Sequence, residues 1–302
     1  MASVAVLSHI VVDEVYDANR RLVGEEVGGA GAYAAAGASL AEPEGATFLV
    51  SGIGSEDRPM LLEWCRRRRI SSDGLFVVGA ESPRTRIQYF ADGGREETPV
   101  HGLGHFRDHT PLPRHIPVDP VRLDGVYLFH DHDLAYWEEI ADLRRPLSGP
   151  LLWEISLDSC RPEHLDDVRD RLALADLLSI NEAEALSLLG ATRIEDAVEW
   201  FRGVDATVLL RRGEQGSMIV GSGRTHLIGI SPTLAIDPTG GGNSYGGAFL
   251  AVYARTGDPV QAGRTAAATA GAVVSAPGAP EIDEERCRSV QRAAESVVVE
   301  HL

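Results

Sequence analysis

The chain has 302 residues, 44% of them hydrophobic, with a formal net charge of -17 at pH 7 and an isoelectric point near 5.0. That composition can build a sizeable core and excludes a disordered chain, while the acidic field would repel a phosphate backbone and argues against a nucleic-acid partner. All 28 residues counted as Lys or Arg are arginine, so no Walker-type or Schiff-base lysine exists, and phosphate must be held by backbone or by arginine.

From the N-terminus, VAVLSHIVV (4–12) has the apolar run of a buried strand, followed by the small-residue helix GAYAAAGASLAE (31–42) and the strand ATFLVSGIG (46–54). PMLLEWCRRRR (59–69) predicts a helix whose arginine-rich end is solvated, where cations suit the helix dipole. RTRIQYFADGGREETPV (84–100) alternates apolar and polar residues around Asp92-Gly93-Gly94, as in an antiparallel hairpin. Strands GVYLFHD (125–131), PLLWEIS (150–156), ADLLSIN (175–181) and ATVLLRRG (206–213) then alternate with helical patterns at 163–175 and 194–203. Such alternation predicts right-handed βαβ units and a mostly parallel sheet. Cys65, Cys160 and Cys287 are too few and too scattered for a disulfide framework or a zinc spacing. No stretch approaches the ~18 apolar residues of a membrane span. The expectation is a soluble cytoplasmic protein.

The stretch AIDPTGGGNSYGGAFLAVYARTGDP (235–259) is the richest in chemistry. A carboxylate and three glycines precede a long small-residue helix, and glycines at a helix start let N–H groups approach an anion. Asp237, Pro238, Thr239, Gly240, Gly241, Gly242 and Asn243 resemble the second signature of the PfkB sugar kinases, which usually reads Asp-Thr-Thr-Gly-Ala-Gly-Asp. VGGAGAYAAAGASL (27–40) is similar to the first signature of that family. GIGSED (52–57) is similar to its Gly-x-Gly-x-Asp segment, with Arg58 in place of the next glycine, and INEAEALSLLG (180–190) to its Asn-x-x-Glu motif.

The resemblance spans nearly the whole chain. It implies a ribokinase-like three-layer α/β/α sandwich over residues 1–302, with a mostly parallel sheet and a small β-lid at roughly 13–27 and 84–108. It further implies an ATP- and Mg²⁺-dependent kinase acting on a hydroxylated small molecule, a sugar, nucleoside or related alcohol. Gly240, Gly241 and Gly242 would line the transferring phosphoryl group, with Asn243 at the catalytic-base position. Asp13, Gly28, Gly29 and Tyr33 would face the substrate, Asp13 as the aspartate that ends the first strand. Asn181, Glu184, Arg212, Gly213, Gly216, Asp237 and Thr239 would serve nucleotide and phosphates, Glu184 also the metal, and SAPGAP (275–280) the adenine side. The edge strands of the lid could pair with a second chain to form a homodimer.

Two departures from the family pattern bear on function. Tyr33 stands where ribokinases usually carry a sugar-binding asparagine, and Asn243 replaces an aspartate with an amide that cannot ionise to accept a proton. A general base contributes about 10²–10⁴-fold in rate, so the sequence leaves three readings: a slow kinase, a ligand-binding pseudokinase, or a non-kinase enzyme on the same fold. His130 and His132 of HDHD (130–133) could share a face as a substitute base or, with Asp131 or Asp133, bind a metal. A polar loop capping the next helix is the simpler expectation there, as is a non-ligating loop for His101, His105 and His109.

Overall fold

The computed structural model describes residues 2–90 and 94–301. In chain order the strands are β1 (Ser3–Leu7), β2 (Val11–Tyr16), β3 (Leu22–Gly28), β4 (Ala46–Ile53), β5 (Leu75–Val77), β6 (Arg84–Tyr89), β7 (Arg95–Pro99), β8 (Gly125–His130), β9 (Leu151–Ile155), β10 (Leu177–Asn181), β11 (Thr207–Arg211), β12 (Ser217–Val220), β13 (Thr225–Ile228) and β14 (Val299–His301). The helices are α1 (Ala30–Ala41), α2 (Arg58–Arg67), α3 (Gly102–Asp108), α4 (Leu134–Arg144), α5 (Leu165–Leu172), α6 (Glu182–Leu189), α7 (Ile194–Arg202), α8 (Gly241–Thr256), α9 (Pro259–Val274) and α10 (Glu284–Ser296). Ten strands form one sheet in the order β14-β13-β12-β11-β10-β9-β8-β1-β4-β5, parallel from β11 to β5 and antiparallel from β11 to β14. A second sheet, β3-β2-β6-β7, pairs β2 with β6 in parallel and its other neighbours antiparallel.

Strand alternation sorts the apolar residues onto two faces of the large sheet. Val4, Val6, Tyr127, Leu152, Leu177 and Leu209 pack with α1, α2, α8 and α9. Their neighbours Ala5, Leu7, Val126, Leu128, Leu151, Trp153, Leu178 and Leu210 pack with α4 to α7. The result is the α/β/α sandwich that the resemblance implies, built around the mostly parallel sheet that the alternation predicts. Helices α1 and α8 come into backbone contact: a Cβ at Gly37 would overlap Ser244, and one at Gly247 would overlap the Ala34 carbonyl. The small-residue pattern of both helices serves this approach.

Several expectations change. The apolar run 4–12 is two strands, not one, because the backbone at its centre is claimed from outside the sheet. The Ile10 N–H donates to Ser51 Oγ at 3.0 Å, and the His9 carbonyl accepts from Gly31 N at 2.9 Å. Asp13 therefore does not end the first strand; it lies within β2 of the small sheet, opposite Glu26. Within the arginine run, Arg66 and Arg67 are solvated and paired with Glu63, but Arg68 turns inward. Its Nε donates to the Ala279 carbonyl at 3.0 Å, it stacks over Trp64, and burial draws its guanidinium down to about 10. His105 lies on α3, with His101 and His109 at its two ends, so the segment is helical rather than a loop. The hairpin strands β6 and β7 pair antiparallel as expected; Asp92 and Gly93 of its turn lie outside the described residues.

Alanine normally strengthens a helix over glycine by about 1 kcal/mol. Gly247→Ala is expected to do the opposite, because its methyl group would force α1 and α8 apart, at a cost of about 1–3 kcal/mol for overpacking. Urea unfolding of the variant measures the sign; a gain in stability would mean that the helices tolerate wider separation.

Candidate active site

The start of α8 lies at the C-terminal edge of the large sheet, where open α/β folds build their sites. Asp237 Oδ1 accepts from Thr239 N at 2.9 Å, which tightens the approach to the helix. Gly240 then takes a left-handed φ of 74° at the N-cap, and any side chain there would overlap the Tyr33 ring. Tyr33 is 5% exposed and acts as the floor of this turn rather than as an open substrate contact. The first-turn N–H groups of a helix lack intrahelical acceptors, so this end favours an anion.

Beneath α8 a polar cluster interrupts the apolar core. It arises from strand periodicity: Leu152, Leu177 and Leu209 face α8, so residues two further on, Glu154, Ser179 and Arg211, face it too. Glu154 Oε1 pairs with Arg211 Nη2, and the other arm of that guanidinium lies so close to Gly242 that a Cβ there would overlap Nη1. Arg211 Nη2 is also 4.0 Å from Glu184 Oε2. Burial raises the Glu154 carboxyl to about 7, against the lowering effect of Arg211 and of the Ser179 hydroxyl. Asn243, third residue of α8, donates from Nδ2 to Tyr127 Oη at 3.2 Å, and burial holds that phenol well above its usual range.

The remaining predicted residues divide into three groups. Asn181 and Glu184 form a reciprocal cap of α6: the Asn181 side chain accepts from Glu184 N, and Glu184 Oε2 accepts from Asn181 N, each at 2.9 Å. This fixes the Glu184 carboxylate beside Arg211. Magnesium takes oxygen ligands and usually binds through one or two carboxylates together with phosphates and waters; Glu184 and Asp237 fit that donor set. Arg212 turns away to Glu182, at 2.9 Å, and Gly213 and Gly216 shape the turn into β12 with φ of 56° and 79°. Those three do not join the cradle.

Among the residues expected to face substrate, the Asp13 carboxylate lies over Gly28, where a Cβ would overlap it. Gly29, with φ of 91°, brings the start of α1 against the His9 carbonyl. His9 itself is half-buried; desolvation lowers its imidazole to about 4, and its Nε2 lies 2.8 Å from the Phe106 carbonyl. Tyr33 follows Gly29 by about one helical turn, so α1 connects the Asp13 region directly to the Gly240 cradle. On the far side, the segment 231–237, through its first three residues, borders with α9 and α10 a groove of ≈ 460 Å³ lined by Ser231, Thr233, Gly271, Ser275 and Arg286. The segment is fixed to α9 where Ile236 N donates to the Val274 carbonyl at 2.8 Å, and it runs on into Gly240.

Sequence reading thus missed Tyr127, Glu154, Arg211 and His9. A signal for two of them existed. Period-two alternation places Arg211, not Arg212, on the same face as Leu209, and Glu154 is a lone carboxylate in the otherwise apolar run LLWEI. The HDHD histidines part company. His130 stacks on Tyr136 with centroids 3.6 Å apart and its Nδ1 is 2.9 Å from Asp131 Oδ1, whereas His132 turns to Ser159 and His164. They do not share a face, and Asp133 is the cap of α4, accepting from Tyr136 N at 2.9 Å.

Comparison with known proteins agrees with this architecture. The chain is 29% identical over 270 residues to the cytidine kinase of Thermococcus kodakarensis, covering 86% of this chain and 91% of that protein. Its fold matches the ribokinase of Cryptococcus neoformans in complex with ADP, with a TM-score of 0.75, 17% identity and coverage of 98% and 99%. It also matches the nucleoside kinase of Methanocaldococcus jannaschii, an archaeal member of the ribokinase family, with a TM-score of 0.74, 20% identity and coverage of 97% and 99%. Residues 1–286 match the pfkB family of carbohydrate kinases, and the chain belongs to that family.

Proposed function

We propose that this chain transfers a phosphoryl group from ATP to a hydroxyl of a sugar, nucleoside or related small molecule. One observation carries the reading: a glycine-lined helix start with an arginine, anchored by a buried carboxylate, in contact with it. In a chain without lysine this supplies what phosphoryl transfer chiefly needs, positioned positive charge where anionic oxygens gather. The groove between Ser231 and Arg286 would take the nucleotide base, and Asp13 would accept substrate hydroxyls. The relatives' cytidine and nucleoside kinase activities support a nucleoside within the substrate class. ADP on the ribokinase neighbour supports an adenine nucleotide as donor.

Each residue has a defined task. Gly240 and Gly242 let Tyr33 and Arg211 close against the start of α8, whose first N–H groups would meet the γ-phosphate. Arg211 exchanges contact with Glu184 for contact with phosphate oxygens, while Glu154 keeps it anchored. Glu184 and Asp237 would hold a magnesium ion bound with the phosphates, which would supply further neutralisation of their charge. Asn243, held by Tyr127, orients the attacking hydroxyl, and water removes the proton. The small β2-β3-β6-β7 sheet acts as the lid of a single ribokinase-like domain. Exposed Leu22 and Val23 on its free edge strand β3 support pairing with a second copy. Three buried, unpaired thiols support a cytoplasmic setting, and no helix among the described residues is long and apolar enough to cross a membrane. The second reading, nucleotide binding without turnover, is favoured by the Asn243 amide alone.

Two experiments test the proposal. Gly242→Ala should displace Arg211 and weaken ATP–Mg²⁺ binding about 10- to 100-fold, the order of a lost charge-assisted hydrogen bond. Gly241→Ala should weaken it far less, since its Cβ meets only the Val274 side-chain tip at 2.9 Å. Calorimetry showing equal affinity in both variants would remove Arg211 from the site. The second experiment uses single turnover on a panel of nucleosides and sugars. Asn243→Asp restores a base at a helix position that favours a carboxylate, so product formation should rise by up to ~10²-fold. No product from either protein, despite bound nucleotide and substrate, would leave the binding-only reading.

A further inference from the structure

On the opposite face of the large sheet from α8, three chain segments converge that the phosphoryl-transfer site does not use. His132 comes from the loop after β8, His164 from the turn before α5, and Asp167 from the first turn of α5. One ligand atom of each lies within 4.8 Å of the others, and the two imidazole rings face one another with centroids 4.2 Å apart. Among the described residues this is the one such group of three.

The loop that carries His132 is rigid. Indole N–H groups of two core tryptophans hold its backbone: Trp153 donates to the His130 carbonyl and Trp137 to the Asp131 carbonyl, both at 2.9 Å. The other side chains of the loop are engaged, His130 with Asp131 and Asp133 with the start of α4. His132 alone is aimed elsewhere, with Nδ1 3.0 Å from Oγ of the buried Ser159. With Nδ1 as the donor to that hydroxyl, Nε2 carries the lone pair, the usual way a protein orients a metal-binding histidine. His164 and Asp167 are three residues apart at a helix start and so lie on one side of α5.

We propose that His132, His164 and Asp167 form a binding site for a divalent transition-metal ion of the zinc class, independent of the kinase reading. Two imidazoles and one carboxylate match the borderline preference of Zn²⁺ and exclude a magnesium site, which wants oxygen ligands throughout. Zinc-bound ligand atoms at 2.0–2.2 Å from the metal are about 3.3 Å apart, so closure needs only side-chain rotation, for which the exposed Asp167 is free. Three protein ligands leave a fourth position for water. The ion would clip the loop after β8 to the start of α5, and the strongly acidic chain favours a cation.

The test is titration of the untagged chain, stripped with EDTA, with Co²⁺ and then Zn²⁺ in the absence of nucleotide. One Co²⁺ per chain is expected, with visible ligand-field absorption that Zn²⁺ abolishes and excess Mg²⁺ does not. His164→Ala and Asp167→Asn should each weaken Co²⁺ binding at least tenfold while melting in EDTA as wild type does, since both residues are at least partly exposed. Absence of saturable one-to-one binding, or unchanged affinity in Asp167→Asn and in a His132→Ala/His164→Ala variant, would overturn the proposal. Kinase activity plays no part in the readout, so failure here leaves the phosphoryl-transfer reading untouched.

Discussion

The backbone contact between α1 and α8 sets the geometry of everything at the C-terminal edge of the sheet. Gly37 against Ser244 and Gly247 against Ala34 bring the two helix axes closer than side chains would allow. Tyr33 can then lie under Gly240, one helical turn from Gly29 and the Asp13 region. A wider spacing would separate the Asp13 region from the start of α8, and the proposed transfer between two bound molecules would depend on close positioning of the reacting groups.

The second constraint is electrostatic. Glu154 is 2% exposed, and a lone buried carboxylate would be strongly unfavourable. Its partner Arg211 offsets that cost only in part, which is why the carboxyl rises to about 7. A buried ion pair of this kind contributes little to stability compared with apolar packing. Its retention beneath a glycine-lined helix start is more consistent with positioning a guanidinium for an anion than with holding the fold together. Arginine suits that task, because its fork can meet two oxygens while staying charged.

Under the proposed phosphoryl transfer, Asn243 would set the chemical ceiling. In the proposed reaction an amide can orient a hydroxyl but cannot ionise to take its proton, and a base missing from that position would correspond to about 3–5 kcal/mol of barrier. Phosphoryl transfer tolerates such a loss better than acyl transfer would, since its loose transition state demands little from a base and much from charge placement. Tyr127 fixes the amide without supplying a base, because burial keeps its phenol protonated.

Local pattern was sufficient for the α/β alternation, the parallel sheet, the β6–β7 pairing and the glycine turn into α8, because strand period, helix period and glycine chemistry are all encoded within a few residues. The split of residues 4–12 into β1 and β2 was not legible, since it depends on Ser51 and Gly31 taking the backbone at Ser8–Ile10 from distant parts of the chain. Glu154, Arg211 and Tyr127 occupy three different strands and become a cluster only through sheet order and register. His132 parts from His130 and joins His164 and Asp167 for the same reason. Residue chemistry along the chain says where charge, conformational freedom and apolar surface lie; folding chooses which of them meet, because such meetings depend on contacts between residues far apart in the chain.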